Sequence, residues 1–286
     1  MANSPAILSG LHEIANDYDA LVCDVWGVIH NGSQAHEPAI DALKRFRASH
    51  GPVVLLSNAP RPVAVLEEQF QKYGVPTDCY DAIMTSGVAA RVDLAKRTEN
   101  GRLAIYHLGP ERDRGVFEGL PIDCVEPDKA RVVLCTGLFD DDHETPDDYR
   151  ELLNKLRSRG LTMLCANPDF VVQRGGQLVY CAGAIAKAYE KIGGEVIYYG
   201  KPYTPIYKPV LDAARAAAGR DILRPLAIGD GLETDIRGAN NAGLESLFIA
   251  NGIHGEEIGD MTEASLARLF EKVGLSARWA MRVLVW

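Results

Sequence analysis

The stretch ALVCDVWGV, residues 20–28, decides the fold class of this chain. Four apolar residues run directly into Asp24, and Gly27 then interrupts the run. A continuous apolar run that ends at a turn residue is typical of a buried strand in a parallel sheet. Open α/β sheets bind their ligands at the carboxyl ends of such strands. An acid at this position is costly to bury unless a cation or a reaction compensates for it, so Asp24 is a candidate site residue.

Similar strands and helices continue along the chain. Apolar runs at 53–56 and 226–228 predict further buried strands, and apolar residues at helical spacing follow Pro38 and Pro62. This alternation is typical of an α/β fold with a doubly wound, Rossmann-like parallel sheet covered by helices.

In the middle of the chain, the predicted strands and helices are shorter but still alternate. We therefore predict a core built from residues 1–86 and 184–286, with a second α/β domain inserted at 87–183. The strand predicted at 196–199 falls in the second part of that core. A length of 286 residues agrees with two domains, because single cores rarely grow beyond about 250–300 residues.

The composition is that of a soluble globular protein, with 47% hydrophobic and 24% charged residues. A formal net charge of −9 argues against a nucleic-acid-binding surface, which would be basic. The first residues lack the features of a signal peptide, and no apolar run reaches the roughly 20 residues that cross a bilayer. Six scattered cysteines without a CxxC pattern favour buried free thiols in a reducing compartment. We expect a cytoplasmic protein that binds neither nucleic acid nor a membrane.

Polar residues end three of the predicted strands: Asp24 follows ALVC, Ser57 follows VVLL and Asp230 follows LAIG. Because the carboxyl ends of parallel strands meet at one edge of a sheet, these side chains are expected to converge. Two facing carboxylates repel unless a cation lies between them, and an oxygen-only ligand set favours Mg²⁺. Lys201, just after the strand at 196–199, can neutralise a nucleophile and a phosphoryl group. The alternative is that Ser57 and Asp230 only cap the helices that follow them.

Four motifs, taken in order, resemble the signature motifs of the haloacid dehalogenase (HAD) superfamily. They are Asp24-Val25-Trp26-Gly27-Val28, Ser57-Asn58, Lys201, and Gly229-Asp230 followed by Asp235. The block at 87–183 lies where class IIA members of the superfamily carry an α/β cap domain, and Asn167-Pro168-Asp169 resembles a cap motif of that class. The resemblance implies a hydrolase of the class IIA group, which includes p-nitrophenyl, sugar-phosphate and nucleotide phosphatases.

The same resemblance implies roles for the residues of the core. Asp24 would be the nucleophile that forms an aspartyl-phosphate. Mg²⁺ would be held by Asp24, by the backbone carbonyl of Trp26 and by Asp230. Asp235 would orient the metal-bound water or Lys201, and Lys201 would supply the counter-charge to the phosphoryl group.

Substrate binding is implied for a second group of residues. Ser57 and the backbone of Asn58 would bind the transferring phosphoryl oxygens. Asn167, Asp169 and the loop at 171–174 are candidates for substrate specificity, because a cap closes over its site and excludes water. A solvated turn is the alternative for these cap residues. The expected ligand is a small phosphorylated metabolite.

Trp26 departs from the family pattern. Phosphatases of the superfamily have a second Asp here, which protonates the leaving oxygen and later activates water. An indole cannot shuttle a proton, so general acid–base help worth about 10²–10⁴-fold would be missing. Four alternatives follow: a slow phosphatase for good leaving groups, a substitute acid such as His30 or a cap residue, non-phosphatase chemistry, or a catalytically weak protein that binds a phosphorylated ligand or regulates through it. Trp26 can also stack on a substrate ring or fill the mouth of the site.

Three other features of the sequence bear on the alternatives. A dinucleotide-binding protein is another α/β candidate, but no strand is followed by G-x-G-x-x-G. The acidic run at 140–144 is interpreted as a solvated loop rather than a metal site. The apolar stretch at 279–286 packs either on the core or on a second subunit, so a homo-oligomer is an open expectation.

Overall fold

The computed structural model describes residues 4–174, 177–253 and 255–286, and the chain divides into two compact units. The first unit contains the chain up to Ser57, Leu66–Met84 and Lys201–Trp286. The second unit contains Asn58–Val65 and Thr85–Gly200. Both units combine helices with parallel sheets, which confirms the predicted α/β fold class.

Strands and helices alternate along most of the chain. The strands are β1 (Ala6–Ile7), β2 (Ala20–Asp24), β3 (Val53–Ser57), β4 (Ala82–Thr85), β5 (Leu103–Leu108), β6 (Ile122–Cys124), β7 (Val132–Cys135), β8 (Thr162–Cys165), β9 (Val171–Arg174), β10 (Gln177–Tyr180), β11 (Val196–Tyr198), β12 (Pro225–Gly229), β13 (Glu245–Ile249) and β14 (Trp279–Met281). The α-helices are α1 (Glu37–Ser49), α2 (Val63–Tyr73), α3 (Ser86–Arg97), α4 (Arg150–Ser158), α5 (Ala182–Lys191), α6 (Tyr207–Ala218), α7 (Arg237–Ala242), α8 (Gly255–Ile258) and α9 (Glu263–Val273).

The first unit is built on a seven-stranded sheet in the order β1-β14-β13-β12-β2-β3-β4. The chain moves outward from β2 in both directions, so the sheet is doubly wound, as predicted. β12, β2 and β3 lie side by side in parallel at its centre. Every residue of β2 and β3 is buried, which explains why their sequences are continuous apolar runs rather than alternating ones.

The C-terminal stretch at 279–286 contributes to this sheet. β14 lies between β13 and β1, and Ala280, Met281 and Leu284 are buried. The stretch therefore packs on the core, which is the first of the two alternatives predicted for it.

The second unit has its own five-stranded parallel sheet in the order β11-β8-β7-β5-β6. One face of this sheet and helices α4 and α5 bury a common apolar core. Its members include Leu108, Val133, Leu153, Met163, Ile185 and Tyr189. An inserted α/β domain was predicted in this part of the chain, and the unit has that architecture.

The boundary predicted at 183–184 differs from the structure. β11 was expected in the core sheet, but it pairs in parallel with β8, with Ile197 opposite Leu164. The second unit therefore extends to Gly200, and the first resumes at Lys201. An apolar run shows that a strand is buried but does not show which sheet it joins, so periodicity alone could not place this boundary.

Residues 171–174 were predicted to be a loop and instead form strand β9. This strand pairs in antiparallel fashion with β10, with Val172 opposite Val179. Gly175 and Gly176, which connect the two strands, lie outside the described residues. A Gly-Gly pair between two apolar runs is a hairpin signal that the loop interpretation overlooked.

Three expectations from composition and charge pattern can be compared with the structure. All six cysteines are free thiols; five are buried and Cys124 is exposed. The acidic run at 140–144 lies in a turn where Asp140, Asp142 and His143 are exposed, in agreement with a solvated loop. Within the described ranges, no helix combines the length and the apolar character needed to cross a membrane.

Candidate active site

Three adjacent strands of the first sheet bring their terminal polar residues to one edge. The register places Cys23 opposite Ile228 and Asp24 opposite Leu56. Ser57 and Asp230 therefore lie within one or two positions of Asp24 along neighbouring strands. All three of these polar residues are buried, with 7–8% of each exposed. The predicted convergence of Asp24, Ser57 and Asp230 is what the sheet order produces.

Asp235 completes a cluster of three carboxylates. One oxygen each from Asp24, Asp230 and Asp235 lies within 4.8 Å of the others. Lys201 bridges two of them: its Nζ donates to Asp24 Oδ1 and, at 2.6 Å, to Asp235 Oδ1. Lys201 is 4% exposed, so its ammonium forms these two contacts in a buried environment.

Asp235 lies in a wide helical turn. Residues Leu232–Ile236 form a π-helical turn before α7 begins. The N–H groups of Asp235 and Ile236 both donate to the Gly231 carbonyl, and the Gly231 N–H donates back to Asp235 Oδ2 at 2.9 Å. The wider turn fixes the Asp235 carboxylate with one oxygen on the backbone and one on Lys201. Turns of this kind occur frequently at functional sites.

The charges of the cluster do not balance. Among the described residues of the first unit, the buried carboxylates and ammonium groups are Asp24, Asp230, Asp235 and Lys201, which leaves two excess negative charges. Burial and then repulsion from Asp235 raise the pKa of Asp24 well above its usual range. The same two causes raise the pKa of Asp230 to about 7. Burial opposes ionisation of Lys201, but Asp235 and Asp24 outweigh it and raise the pKa of the ammonium.

Mg²⁺ fits this arrangement in charge and in ligand chemistry. A divalent cation would balance the two excess charges, and carboxylate oxygens are the ligands it prefers. Two glycines leave the space in which Asp230 sits: a Cβ on either Gly27 or Gly252 would overlap the Asp230 carboxylate. Gly27 also has a φ of 86°, which side chains rarely adopt. The Ile253 N–H then holds Asp230 Oδ2 at 2.8 Å, so the carboxylate is pre-oriented.

Replacing Gly252 by Ala is expected to weaken Mg²⁺ binding by about tenfold or more, because the new methyl group displaces the Asp230 carboxylate. The measurement is a calorimetric Mg²⁺ titration. Gly255→Ala is the matched control, since its Cβ would meet other atoms only at 3.6 Å or more. Equal Mg²⁺ affinity in both variants would show that Asp230 does not hold the metal.

The Trp26 ring is half-buried and packs against residues of its own loop. Its indole ring lies edge-on to the His30 ring at 5.3 Å and against Gly32, where a Cβ would meet the outer ring atoms. His30 in turn contacts Phe70 and Tyr73, with ring centroids at 5.9 and 5.1 Å. The side chain of Trp26 is therefore part of a packed aromatic cluster, which favours filling the mouth of the site over stacking on a substrate ring.

His30 was one candidate to replace the missing acid. Its Nδ1 accepts a hydrogen bond from the Gly32 N–H at 3.0 Å, and the residue is 4% exposed. Burial and then the neighbouring His36 lower the pKa of His30 to about 4. A neutral, buried imidazole is a poor proton donor near pH 7, so the structure does not favour His30 as a substitute.

The predicted residues of the second unit also come together. Asn58 Nδ2 donates to Asp169 Oδ1 at 2.8 Å, and the Asp169 N–H donates to Asn167 Oδ1 at 3.1 Å. Ser86 joins them, since its Oγ donates to Asn58 Oδ1 at 3.3 Å. Ser86 was not predicted, although it directly follows the end of β4 and the strand-end rule that found Ser57 applies to it as well.

Family models match two stretches of the chain. A model described as haloacid dehalogenase-like hydrolase matches residues 21–122, and a HAD-hydrolase-like model matches residues 198–273. The two matches include all four motifs singled out in the sequence.

Known proteins resemble the chain over most of its length. A haloacid dehalogenase-like hydrolase from Brucella suis 1330 is 41% identical with a TM-score of 0.86, covering 97% of this chain and 100% of that one. The ribonucleotide monophosphatase NagD of Escherichia coli (strain K12) is 26% identical over 238 residues, 82% of this chain and 88% of that protein. A glycerol phosphate phosphatase from Mycobacterium tuberculosis, solved in complex with magnesium, is 23% identical with a TM-score of 0.65, covering 88% and 77%. The 41% identity over 97% of the chain, together with the two family-model matches, shows that the chain belongs to the haloacid dehalogenase-like hydrolase family.

Proposed function

We propose that this protein is a Mg²⁺-dependent phosphatase of small phosphorylated metabolites that works through an aspartyl-phosphate on Asp24. The observation that carries the proposal is the buried cluster in which Lys201 bridges Asp24 and Asp235 beside Asp230. The ribonucleotide monophosphatase and the glycerol phosphate phosphatase among its relatives support a phosphate monoester as substrate. The magnesium complex of the latter supports the choice of metal.

In the proposed reaction, a carboxylate oxygen of Asp24 attacks the phosphorus atom and the bond from phosphorus to the ester oxygen breaks. Lys201 donates to Asp24 Oδ1, so the other carboxylate oxygen is the one left to attack. Asp235 fixes the ammonium from the opposite side and keeps it beside the nucleophile. Water then hydrolyses the acyl-phosphate and restores the Asp24 carboxylate.

The phosphoryl group would be held from two sides. The Ser57 hydroxyl and the Asn58 N–H would donate to its oxygens, with Lys201 as counter-charge. Asp24, Asp230 and the Trp26 carbonyl would hold Mg²⁺, which supplies positive charge that stabilises the transferring group. Burial strengthens each of these interactions, because the local dielectric constant is lower than that of water.

Trp26 sets the expected substrate preference. Without a proton donor at this position, the leaving oxygen departs as an anion unless another group protonates it. Aryl phosphates, whose leaving groups are stable anions, should therefore be hydrolysed faster than alkyl phosphates.

A panel of phosphate monoesters tests the proposal. With Mg²⁺ present, we expect turnover of at least some esters, with p-nitrophenyl phosphate ahead of glycerol phosphate, and loss of that turnover when EDTA removes the metal. Phosphate release is the measurement. No hydrolysis of any ester, or turnover that EDTA does not change, would contradict the proposal.

A second candidate function is a catalytically weak protein that binds a phosphorylated ligand and regulates through it. The specific observation in its favour is the Trp at position 26. The residues assigned to phosphate binding are present, but this position lacks a side chain that can transfer a proton. Tight binding of phosphate esters without turnover, persisting after Trp26→Asp, would favour this function over the first.

A further inference from the structure

The two chain segments of the second unit meet at one point. The segments Asn58–Val65 and Thr85–Gly200 enter and leave the second unit beside three small or polar residues, Asn58, Ser86 and Gly200. A Cβ on Gly200 would overlap the Ser86 hydroxyl and press on Asn58 Oδ1. The backbone at Gly200 is therefore packed directly against the Asn58 and Ser86 side chains, and its φ of 121° keeps that approach available only to glycine.

Asp169 binds the amide nitrogen of Asn58, whereas Ser86 binds the amide oxygen. Asp169 Oδ1 accepts the hydrogen bond of Asn58 Nδ2 at 2.8 Å, while its own N–H is held by Asn167 Oδ1. A hydrogen bond to a carboxylate is stronger than one between neutral groups. Asn58 is 4% exposed, so little water competes for its amide. The Asn58 side chain is thus clamped between Asp169 and Ser86.

Hydrogen bonds from the start of α3 also hold the chain that follows Asn58. Thr85 caps this 12-residue helix by accepting the Val88 N–H at 2.9 Å, and its hydroxyl donates to the Arg61 carbonyl at 2.7 Å. The Gly87 N–H donates to the Ala59 carbonyl at 3.2 Å. The segment that begins at Asn58 is therefore tied to a helix end by two hydrogen bonds in addition to the clamp on its side chain.

We propose that Asp169 and Ser86 are positioning residues: they fix the Asn58 side chain, and through it the Asn58 backbone, rather than contacting substrate. The Asn58 N–H is one of the groups assigned to the phosphoryl oxygens, so the inference rests on the proposed function. It replaces the expectation that Asp169 recognises the substrate.

The two roles of Asp169 make different predictions. A positioning residue acts on groups that bind phosphate, so its loss weakens every phosphate ligand by the same factor. A substrate-contacting residue acts on the organic part of the substrate, so its loss affects an ester and leaves a bare phosphate analogue unchanged. Orthovanadate with Mg²⁺ is a probe without any organic part.

The experiment compares Asp169→Ala with Asp169→Asn by calorimetric vanadate titration and by kcat and KM for p-nitrophenyl phosphate and a nucleoside monophosphate. Asp169→Ala should weaken vanadate binding by about tenfold or more and lower kcat/KM for both esters by a similar factor. Asp169→Asn should stay within about threefold of the wild type, because its carbonyl oxygen can still accept from Asn58. Unchanged vanadate affinity with a raised KM for the nucleoside monophosphate alone would overturn the inference.

Ser86→Ala provides a second route if Asp169→Ala does not fold. It removes the 3.3 Å donor to Asn58 Oδ1 from the other side of the clamp, and we expect the same pattern with a two- to fivefold effect. Failure of the proposed function can be distinguished from failure of this inference. If only the proposed function is wrong, the wild type binds vanadate but hydrolyses neither ester. The vanadate affinities of the variants then still decide the roles of Asp169 and Ser86. A wild type that binds no vanadate would overturn both.

Discussion

Asp24→Asn is expected to lower phosphate ester hydrolysis on the order of 10⁴-fold or more, close to the uncatalysed background. The substitution keeps the size and planar shape of the side chain but removes the nucleophilic oxygen. It also removes the charge that Lys201 neutralises, and one ligand of the three-carboxylate cluster. Phosphate release under single-turnover conditions, with intact protein mass before and after mixing, measures both the rate and the covalent intermediate.

Asp19 provides a matched control at the opposite end of the same strand. Its carboxylate accepts the N–H groups of Leu223 and Arg224, each at 2.9 Å, so its role is structural. Asp19→Asn should leave turnover within about twofold of the wild type. Comparable losses in the two variants would mean that Asp24 matters for folding rather than for chemistry.

Trp26→Asp is expected to raise hydrolysis of alkyl phosphates by about 10²–10⁴-fold, because it installs a proton donor and acceptor two residues from the nucleophile. The gain should be smaller for p-nitrophenyl phosphate, whose leaving group needs little protonation. The measurement is kcat for both esters over a range of pH.

Trp26→Asn is the matched control for this substitution. Both variants lose the contacts of the indole ring with His30 and Gly32, so both should lose similar stability. Only the Asp variant gains an ionisable group, and the rate ratio between the two isolates proton transfer. Equal rates would show that a proton shuttle at position 26 is not what limits this protein.

Much of the first unit can be predicted from local sequence. β2 and β3 are continuous apolar runs because both faces of a central parallel strand are buried, and their ends are polar because they reach the ligand edge of the sheet. The motif order then predicts Asp24, Lys201 and Asp230 at one site, and the sheet order and hydrogen bonds agree. These features can be predicted because each depends on residues that are close together in the sequence.

Features that depend on distant pairing were not predictable in the same way. β11 has the same apolar pattern whichever sheet it joins, and only its pairing with β8 decides the boundary at Gly200. The hydrogen bond from Asn58 to Asp169 joins residues 111 positions apart, so no local pattern indicates it. Trp26 shows a further limit: the sequence predicts the missing proton donor, but the packing of the indole against His30 follows from the turn of the loop.

A crystal structure with Mg²⁺ and orthovanadate bound tests the central claim most directly. The account predicts the metal between Asp24 and Asp230, with the vanadium atom bonded to or in line with an Asp24 carboxylate oxygen and the vanadate oxygens held by Ser57 and Lys201. A structure in which no metal lies between Asp24 and Asp230, or in which vanadate binds away from Asp24, would contradict it.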